Sequence, residues 1–536
     1  MNNKKGFYAL KDPYVNRGTS FTAEDRENLQ VLGLIPPTLS SLEVQAKRVM
    51  NRLNRQDDAL EKYVILHRLS QRNQTLFCYL LTKHFSELIP IIYTPTVARA
   101  CIEFSHLFLE EGGVYISIDD LGKVEKIINN VPNDDVAVIV VTDGETVLGL
   151  GDFGIGGLCV ARSKVSLNCA CGGIKPSRAL PVIIDVGTNN PTLSQDPFYV
   201  GLSHVRIGGE GYKQLISEFI RVARQRWPHA LIQFEGFSRQ NAFYLLNQWE
   251  QKIPCFNNDI QGTASVVLSG LYSACKIKGS QLKDEKILFF GSGQVAIGIA
   301  NLLMVALCKE GLTTEEASQR IYLFDSKGLV TVDRDDLQEI KRPFAHVDDA
   351  ETTLLDAIEL IRPSVIVGTA AQAGAFNAYV LGAMARINAR PIIFSLSNPS
   401  SKTECSARDA YIYTAGSCLY AGGSPFAPIE HNGKHWIPSQ SNNLYVFPGI
   451  VLGTTFCQAK EIPQELFLVA ARALHSMVTE EELSHLNFYP SLNHLREISL
   501  TIATAVAQYC YEEGIAGNER PVDLCSALES SMYVPK

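Results

Sequence analysis

The segment KILFFGSGQVAIGIANLLMVALCK, residues 286–309, decides the fold. Its first five residues are an apolar run of strand type. Gly291-Ser-Gly293-Gln-Val-Ala296 follows, with Gly298 beyond, and Val295–Lys309 carries an apolar helical pattern. The next apolar run, Ile321–Phe324, ends on Asp325. Glycines in such a turn let backbone N–H groups approach a pyrophosphate at a helix N-terminus, and an acid closing the next strand takes a ribose hydroxyl. Strand, glycine turn, helix, strand and acid in this order predict a dinucleotide-binding unit. A second glycine run, Gly149-Leu-Gly151-Asp-Phe-Gly154, competes for the role. It holds Asp152 inside the turn, where an acid would repel phosphate, and no helical run directly follows. The 291–296 turn is therefore preferred.

Working outward, Val136–Thr142, Val147–Leu150, Ala179–Asp185 and Leu231–Phe234 read as strands before this unit. Val365–Gly368 and Pro391–Leu396 read as strands after its first half, and the latter runs into Asn398. Lys213–Trp227 has a helical apolar stripe. Continuous apolar strands separated by helices predict a parallel sheet covered on both faces. Residues 1 to about 112 read as helical, with apolar spacing of three and four in Ser41–Asn54 and Leu60–His84. Arg48 and Arg72 on these helices read as solvated surface, and Tyr93 sits where the run Leu88–Pro95 ends in a proline turn. The chain turns helical again through Glu465–Val478 and Leu495–Glu513, and the final residues read as a tail.

Residues 231–264, LIQFEGFSRQNAFYLLNQWEQKIPCFNNDIQGTA, lie just before the dinucleotide unit. A short strand ends on Glu235, a helix covers Asn241–Trp249, and a second strand, Ile253–Phe256, runs into Asn257, Asn258 and Asp259. Acids at the C-terminal ends of neighbouring strands converge on the crevice where open α/β folds bind ligands. Hard divalent cations take oxygen ligands, so Glu235 and Asp259 are candidates to hold one. The alternative is that both face water, or that Asp259 caps a helix starting near Gln261.

At 536 residues the chain needs more than one core, and 46% hydrophobic with 19% charged residues is globular composition. A net charge of −8 without a basic run argues against nucleic acid. No apolar run reaches the roughly 18–20 residues that span a bilayer. The N-terminus has neither a signal core nor a transit-peptide pattern. The 13 cysteines are scattered, and Cys169 and Cys171 lack the partner pair that zinc would need. Cytoplasm is the expected compartment, with the mitochondrion as the alternative. The segment around His431 and His435 reads as a hairpin turn, because Asn432 and Gly433 lie between them. No G-x-S-x-G elbow, Walker loop, H-E-x-x-H or kinase set is present.

YTPTV (93–97), VTDGE (141–145), LGLGDFG (148–154), CGGI (171–174), DVGTNN (185–190), QFE (233–235), NDIQGTA (258–264), LSNP (396–399) and NNLYVFPG (442–449) stand together in one order. In these motifs the chain resembles the malic enzyme family over nearly its whole length. The resemblance implies oxidative decarboxylation of (S)-malate to pyruvate and CO2 with reduction of NAD(P), using Mg2+ or Mn2+. It implies Tyr93 as general acid and Lys164 as base, the latter with its pKa lowered by burial and a nearby cation. Glu235 and Asp259 match metal ligands, and Asn398 and Asn443 match residues that hold the malate carboxylates. Gly291, Gly293, Ala296, Asp325 and Asn398 match the nucleotide site. Arg48 and Arg72 match a pair that binds an activator in some members. The implied architecture is α/β: a helical N-terminal domain (1–112), a central substrate domain (113–258 with 447–517), an inserted Rossmann domain (259–446) and a tail (518–536). Small-molecule substrate, no nucleic acid, no membrane and a homodimer or tetramer are the expected partners.

The chain departs from the family pattern at three site positions. The second acid of the family's Q-F-E-D is Gly236 here, the first acid of F-N-D-D is Asn258, and the arginine before L-G-L-G-D is Thr146. The loop 155–163 also lacks the family's Gly-Ile-Pro pattern. These departures support a second expectation, an impaired or re-specialised paralogue that binds nucleotide and pairs with an active homologue. Asp325 suits the ribose hydroxyl of NAD. Ser326 and Lys341 resemble NADP-using members, and the balance favours NADP.

Overall fold

A computed structural model describes residues 4–109, 112–347 and 353–536. Two sheets carry the architecture. The first has five strands: β1 (Val114–Ser117), β2 (Val138–Thr142), β3 (Ala179–Asp185), β4 (Leu231–Phe234) and β5 (Cys255–Asn257), in the order β1-β3-β2-β4-β5. All four pairings are parallel. Val138, Ile139, Val140 and Val141 are fully buried, so both faces of β2 are covered, as a parallel sheet requires. The register pairs Val141 with Phe234 and Phe234 with Asn257. Asp143, Glu235 and Asn258 therefore leave the sheet along one edge.

The second sheet has seven strands. These are β6 (Ile287–Phe290), β7 (Ile321–Asp325), β8 (Gly328–Leu329), β9 (Val365–Gly368), β10 (Ile392–Ser395), β11 (Leu419–Gly422) and β14 (Ser439–Gln440). Their order is β14-β11-β10-β9-β6-β7-β8, parallel except for β8 against β7. Strand order reverses on either side of β6, and ligands bind such sheets at that switch point. The intervening strands β12 (Ile429–His431) and β13 (Lys434–Trp436) form the expected hairpin, with Asn432 and Gly433 at positive φ in its turn. Helices Thr263–Lys278, Phe447–Phe456, Gln464–Ser476 and Leu495–Glu512 contribute to the largest apolar core.

Several local expectations are corrected. Val147–Leu150 is a tight 3-10 turn, not a strand, because Leu148 and Gly149 take positive φ. Leu60–His84 is two helices, Ala59–Arg72 and Gln74–Lys83. Asn73 breaks them at φ −153° and caps the second by accepting from the Leu76 N–H. Leu88–Pro95 lies mostly in a helix, Phe85–Ile92. Residues 155–163 are a 3-10 turn followed by the start of helix Leu158–Ala170, so helical structure does follow the first glycine run. The final segment contains a helix, Leu524–Ser531, that docks on the body through the Tyr533 N–H on the Gly173 carbonyl.

Candidate active site

Lys164 is at the centre of the crevice. It projects from helix Leu158–Ala170 and is 1% exposed. Its ammonium donates to Asn443 Oδ1 at 2.9 Å and stands 3.7 Å from Glu235 Oε1. The rings of Tyr93 and Phe447 lie on the same ammonium, their centroids 5.0 and 4.5 Å away. A buried cation is tolerated only when compensated, and here one carboxylate, one amide and two aromatic faces compensate it. Burial lowers the lysine pKa, but the charges of Glu235, Tyr93 and Asp259 raise it by more. From the protein groups alone the net direction is upward, the two carboxylates holding the ammonium form, and a cation bound at those carboxylates would act in the opposite, expected sense.

Glu235 closes β4, is 1% exposed, and accepts from Gln233 Nε2 at 2.6 Å. Gln233 in turn accepts from Asn168 Nδ2 at 3.2 Å, so helix Leu158–Ala170 orients both the lysine and, through Gln233, the carboxylate. Burial pushes Glu235 up to about 7 against the pull of Lys164. Asp259 lies in the π-turn Asn258–Gly262, remains partly exposed, and accepts the Gly236 N–H at 2.7 Å. Burial raises its pKa, with Lys164 opposing. The side chain that caps this turn is Asn257, which accepts from the Ile260 N–H at 3.0 Å, and not Asp259.

The three unusual positions can be read in the structure. Gly236 has φ +68°, and a Cβ there would lie 3.0 Å from Thr142 Oγ1, so a side chain brings strain as well as crowding. Asn258 is fully buried, and neither atom of its amide makes a hydrogen bond. It lies close enough to Glu235 to lower that group's proton affinity, yet short of hydrogen-bond geometry. Thr146 N–H donates to the Gly236 carbonyl at 2.8 Å, tying the 146–151 turn to the carboxylates. No group of three His, Cys, Asp or Glu side chains assembles as a metal site among the described residues. Two carboxylates from adjoining strand ends, one still partly exposed, nevertheless fit a hard cation that keeps several water or substrate oxygens.

Sequence reasoning missed Gln233 as an orienting partner of Glu235, although the residue stands in the quoted QFE motif. It also missed Arg206, whose side chain is 6% exposed and pairs with Asp143, Glu145 and Asp152 at 3.4, 3.9 and 3.2 Å. No local pattern marks Arg206, because its partners are more than fifty positions away in sequence.

On the second sheet, Gly291 has φ +106°, and a Cβ there would lie 2.8 Å from the Thr369 backbone. Gly293 caps helix Gln294–Lys309, in which Ala296 is buried. A Cβ on Gly298 would lie 2.5 Å from Ile260, so this glycine lets the helix pack on the π-turn that carries Asp259. Asp325 ends β7 and is held by Arg334 at 3.0 and 3.1 Å and by Lys341 at 2.6 Å. Burial alone would raise its pKa, and the two cations bring it below the usual range. Ser326 beside it is exposed.

Tyr93, Lys164, Glu235, Asp259 and Asn443 thus share one crevice. Asn398 lies on the loop after β10, where its Oδ1 accepts from Ser424 Oγ at 2.6 Å. That loop meets the Gly149 turn, since a Cβ on Gly149 would lie 3.4 Å from the Asn398 carbonyl. Arg48 and Arg72 are exposed on the N-terminal helices, and among the described residues Arg48 reaches Ser40 Oγ at 3.5 Å.

Comparison with known proteins identifies the family. Residues 70–250 match the family model "Malic enzyme, N-terminal domain" and residues 260–511 match "Malic enzyme, NAD binding domain". The chain is 43% identical over 534 residues to the NAD-dependent malic enzyme, mitochondrial, of Ascaris suum, covering 99% of this chain and 83% of that one. It is 42% identical over 535 residues to the NADP-dependent malic enzyme, mitochondrial, of Homo sapiens, covering 99% and 89%. The solved malic enzyme of Entamoeba histolytica shares the fold at TM-score 0.59 and 21% identity, covering 94% of this chain and 91% of that one. With two family models spanning most of its length and relatives of this similarity, the chain belongs to the malic enzyme family.

Proposed function

We propose that the chain oxidises (S)-malate with NAD(P) and releases pyruvate and CO2. The observation that carries this is the buried Lys164 ammonium, held between Asn443, Glu235 and Tyr93 on the crevice that adjoins the nucleotide turn. When bound, the nicotinamide supplies the hydride acceptor, and a divalent cation at Glu235 and Asp259 supplies charge stabilisation at the reacting oxygen. Lys164, in its neutral form, takes the hydroxyl proton. Tyr93 gives a proton to C3 after CO2 leaves, and the proton held on Lys164 then returns to Tyr93, so protons balance over the cycle. Tyr93 is pushed up by burial, which keeps its hydroxyl protonated for that step. Asn443 holds Lys164 and the substrate together, with its Nδ2 3.4 Å from Thr263 Oγ1.

Lys341 and Arg334 beside Asp325 favour the 2′-phosphate of NADP, and Ser326 leaves room for it. No described helix is long and apolar enough to cross a membrane. Thirteen cysteines without a disulfide suit a reducing compartment such as the cytoplasm. Exposed Phe7, Tyr8, Leu32 and Leu39 in the N-terminal segment favour self-association. The reported relatives, all named as malic enzymes, give no support to a non-catalytic role.

The test is steady-state formation of reduced nucleotide from malate with Mn2+, using NADP and NAD in turn, with pyruvate measured in parallel. Equal amounts of pyruvate and reduced nucleotide are expected. Reduced nucleotide without pyruvate would assign a simple dehydrogenase instead, and no product would remove the reading.

A further inference from the structure

A substrate with two carboxylates needs a cation, and Thr146 cannot provide one. Lys164 is committed to Asn443 and Glu235 on one side of the crevice. Arg206 lies against the Thr146 turn, but Asp143, Glu145 and Asp152 engage it, and it is nearly inaccessible. Lys402 is placed differently. It ends the 3-10 turn Ser400–Lys402, directly after Asn398 and Pro399. Its ammonium donates to the Gly149 carbonyl at 3.4 Å, a long contact. The residue is half-buried, and no carboxylate pairs with it among the described residues.

The Thr146–Gly151 turn bridges the two halves of the site. At one end the Thr146 N–H is hydrogen-bonded to Gly236, whose own N–H binds Asp259. At the other end Gly149 packs on Asn398 and receives Lys402. The Lys402 ammonium therefore sits on the lip between the turn that lost its arginine and the amide assigned to the substrate. A lysine ammonium has three donors on a flexible stem, and one weak carbonyl contact leaves it free to turn to an anion.

We infer that Lys402 supplies the cation that binds one carboxylate of the dicarboxylate substrate, in the part Thr146 cannot play. This rests on the malate reading above. Lys402 is then a residue of substrate affinity and not of the chemical step.

The experiment compares wild type, K402Q and K402R by KM for malate, kcat, and KM for NADP. K402Q is expected to raise the malate KM about 10-fold or more while kcat changes less than about 3-fold, because a binding contact made equally in ground and transition states acts on KM. K402R should stay near wild type, and the NADP KM should not move. A wild-type malate KM in K402Q overturns the inference and leaves the malate reading standing. If wild type fails to turn over malate, that reading falls. Thermal protection by malate, read on the same proteins, then decides Lys402: protection in wild type but not K402Q supports its role, and equal or absent protection overturns it.

Discussion

The Lys164 ammonium stands 3.7 Å from Glu235 Oε1, and both side chains are 1% exposed. Each is the other's main charge partner, so neither can be removed cheaply. Replacing Lys164 by Met should lower kcat by about 100- to 10,000-fold, the range for losing a general acid–base group. It should also lower the unfolding free energy by about 3–5 kcal/mol, because Glu235 is left buried without its cation. Turnover within a few fold of wild type in K164M would remove Lys164 from the proton path.

Gly236 faces a different constraint. Its φ of +68° and the approach of Thr142 Oγ1 make a β-carbon unfavourable. G236A is expected to destabilise the protein by about 1–2 kcal/mol in urea unfolding. G236D meets the same strain, though Asp tolerates this region better than Ala, and it adds a third carboxylate. Mn2+ affinity, read by electron paramagnetic resonance, should rise in G236D even where stability falls. Unchanged affinity would show that the added carboxylate does not face the cation.

Asp143 gives a pH signature. Burial pushes it up to about 6 despite Arg206. Unfolded, it titrates near about 3.9. The native state therefore keeps a proton that the unfolded chain has released, and the stability from this group falls as pH rises between those values. Relative to D143N, wild type should lose about 2 kcal/mol of stability between about pH 4.5 and 6.5. A difference that stays flat, or grows with pH, would contradict the raised value.

Lys341 lies 2.6 Å from Asp325 and is 8% exposed. K341Q should raise the KM for NADP about 10-fold or more and that for NAD less than about 3-fold, since only the former loses a charge-assisted phosphate contact. Equal effects on both nucleotides would assign Lys341 to holding Asp325 in place.

What was legible in the sequence followed from periodicity. The strands of both sheets are continuous apolar runs, and Glu235 and Asp325 end theirs as expected. Val147–Leu150 was not legible, because its apolar residues belong to a turn whose positive φ values at Leu148 and Gly149 leave no periodic trace. Asn257 caps the π-turn in place of Asp259, since three adjacent polar residues offer three candidate caps and only backbone geometry selects one. Arg334 escaped notice because its approach to Asp325 depends on the β7–β8 hairpin that folds the chain back. The upward pull on Lys164 was equally hidden, as it arises from Glu235, Tyr93 and Asp259 on three other segments.

On the function proposed above, two carboxylates and Lys164 suffice for oxidative decarboxylation without the acids replaced by Gly236 and Asn258. Release of labelled CO2 from malate labelled at C4 tests it most directly, with Mn2+ and NADP present and reduced nucleotide measured in the same sample. Wild type should release label in one-to-one proportion with reduced nucleotide, and D259N should release less than about a hundredth as much. Wild-type release no greater than that of K164M would contradict the claim.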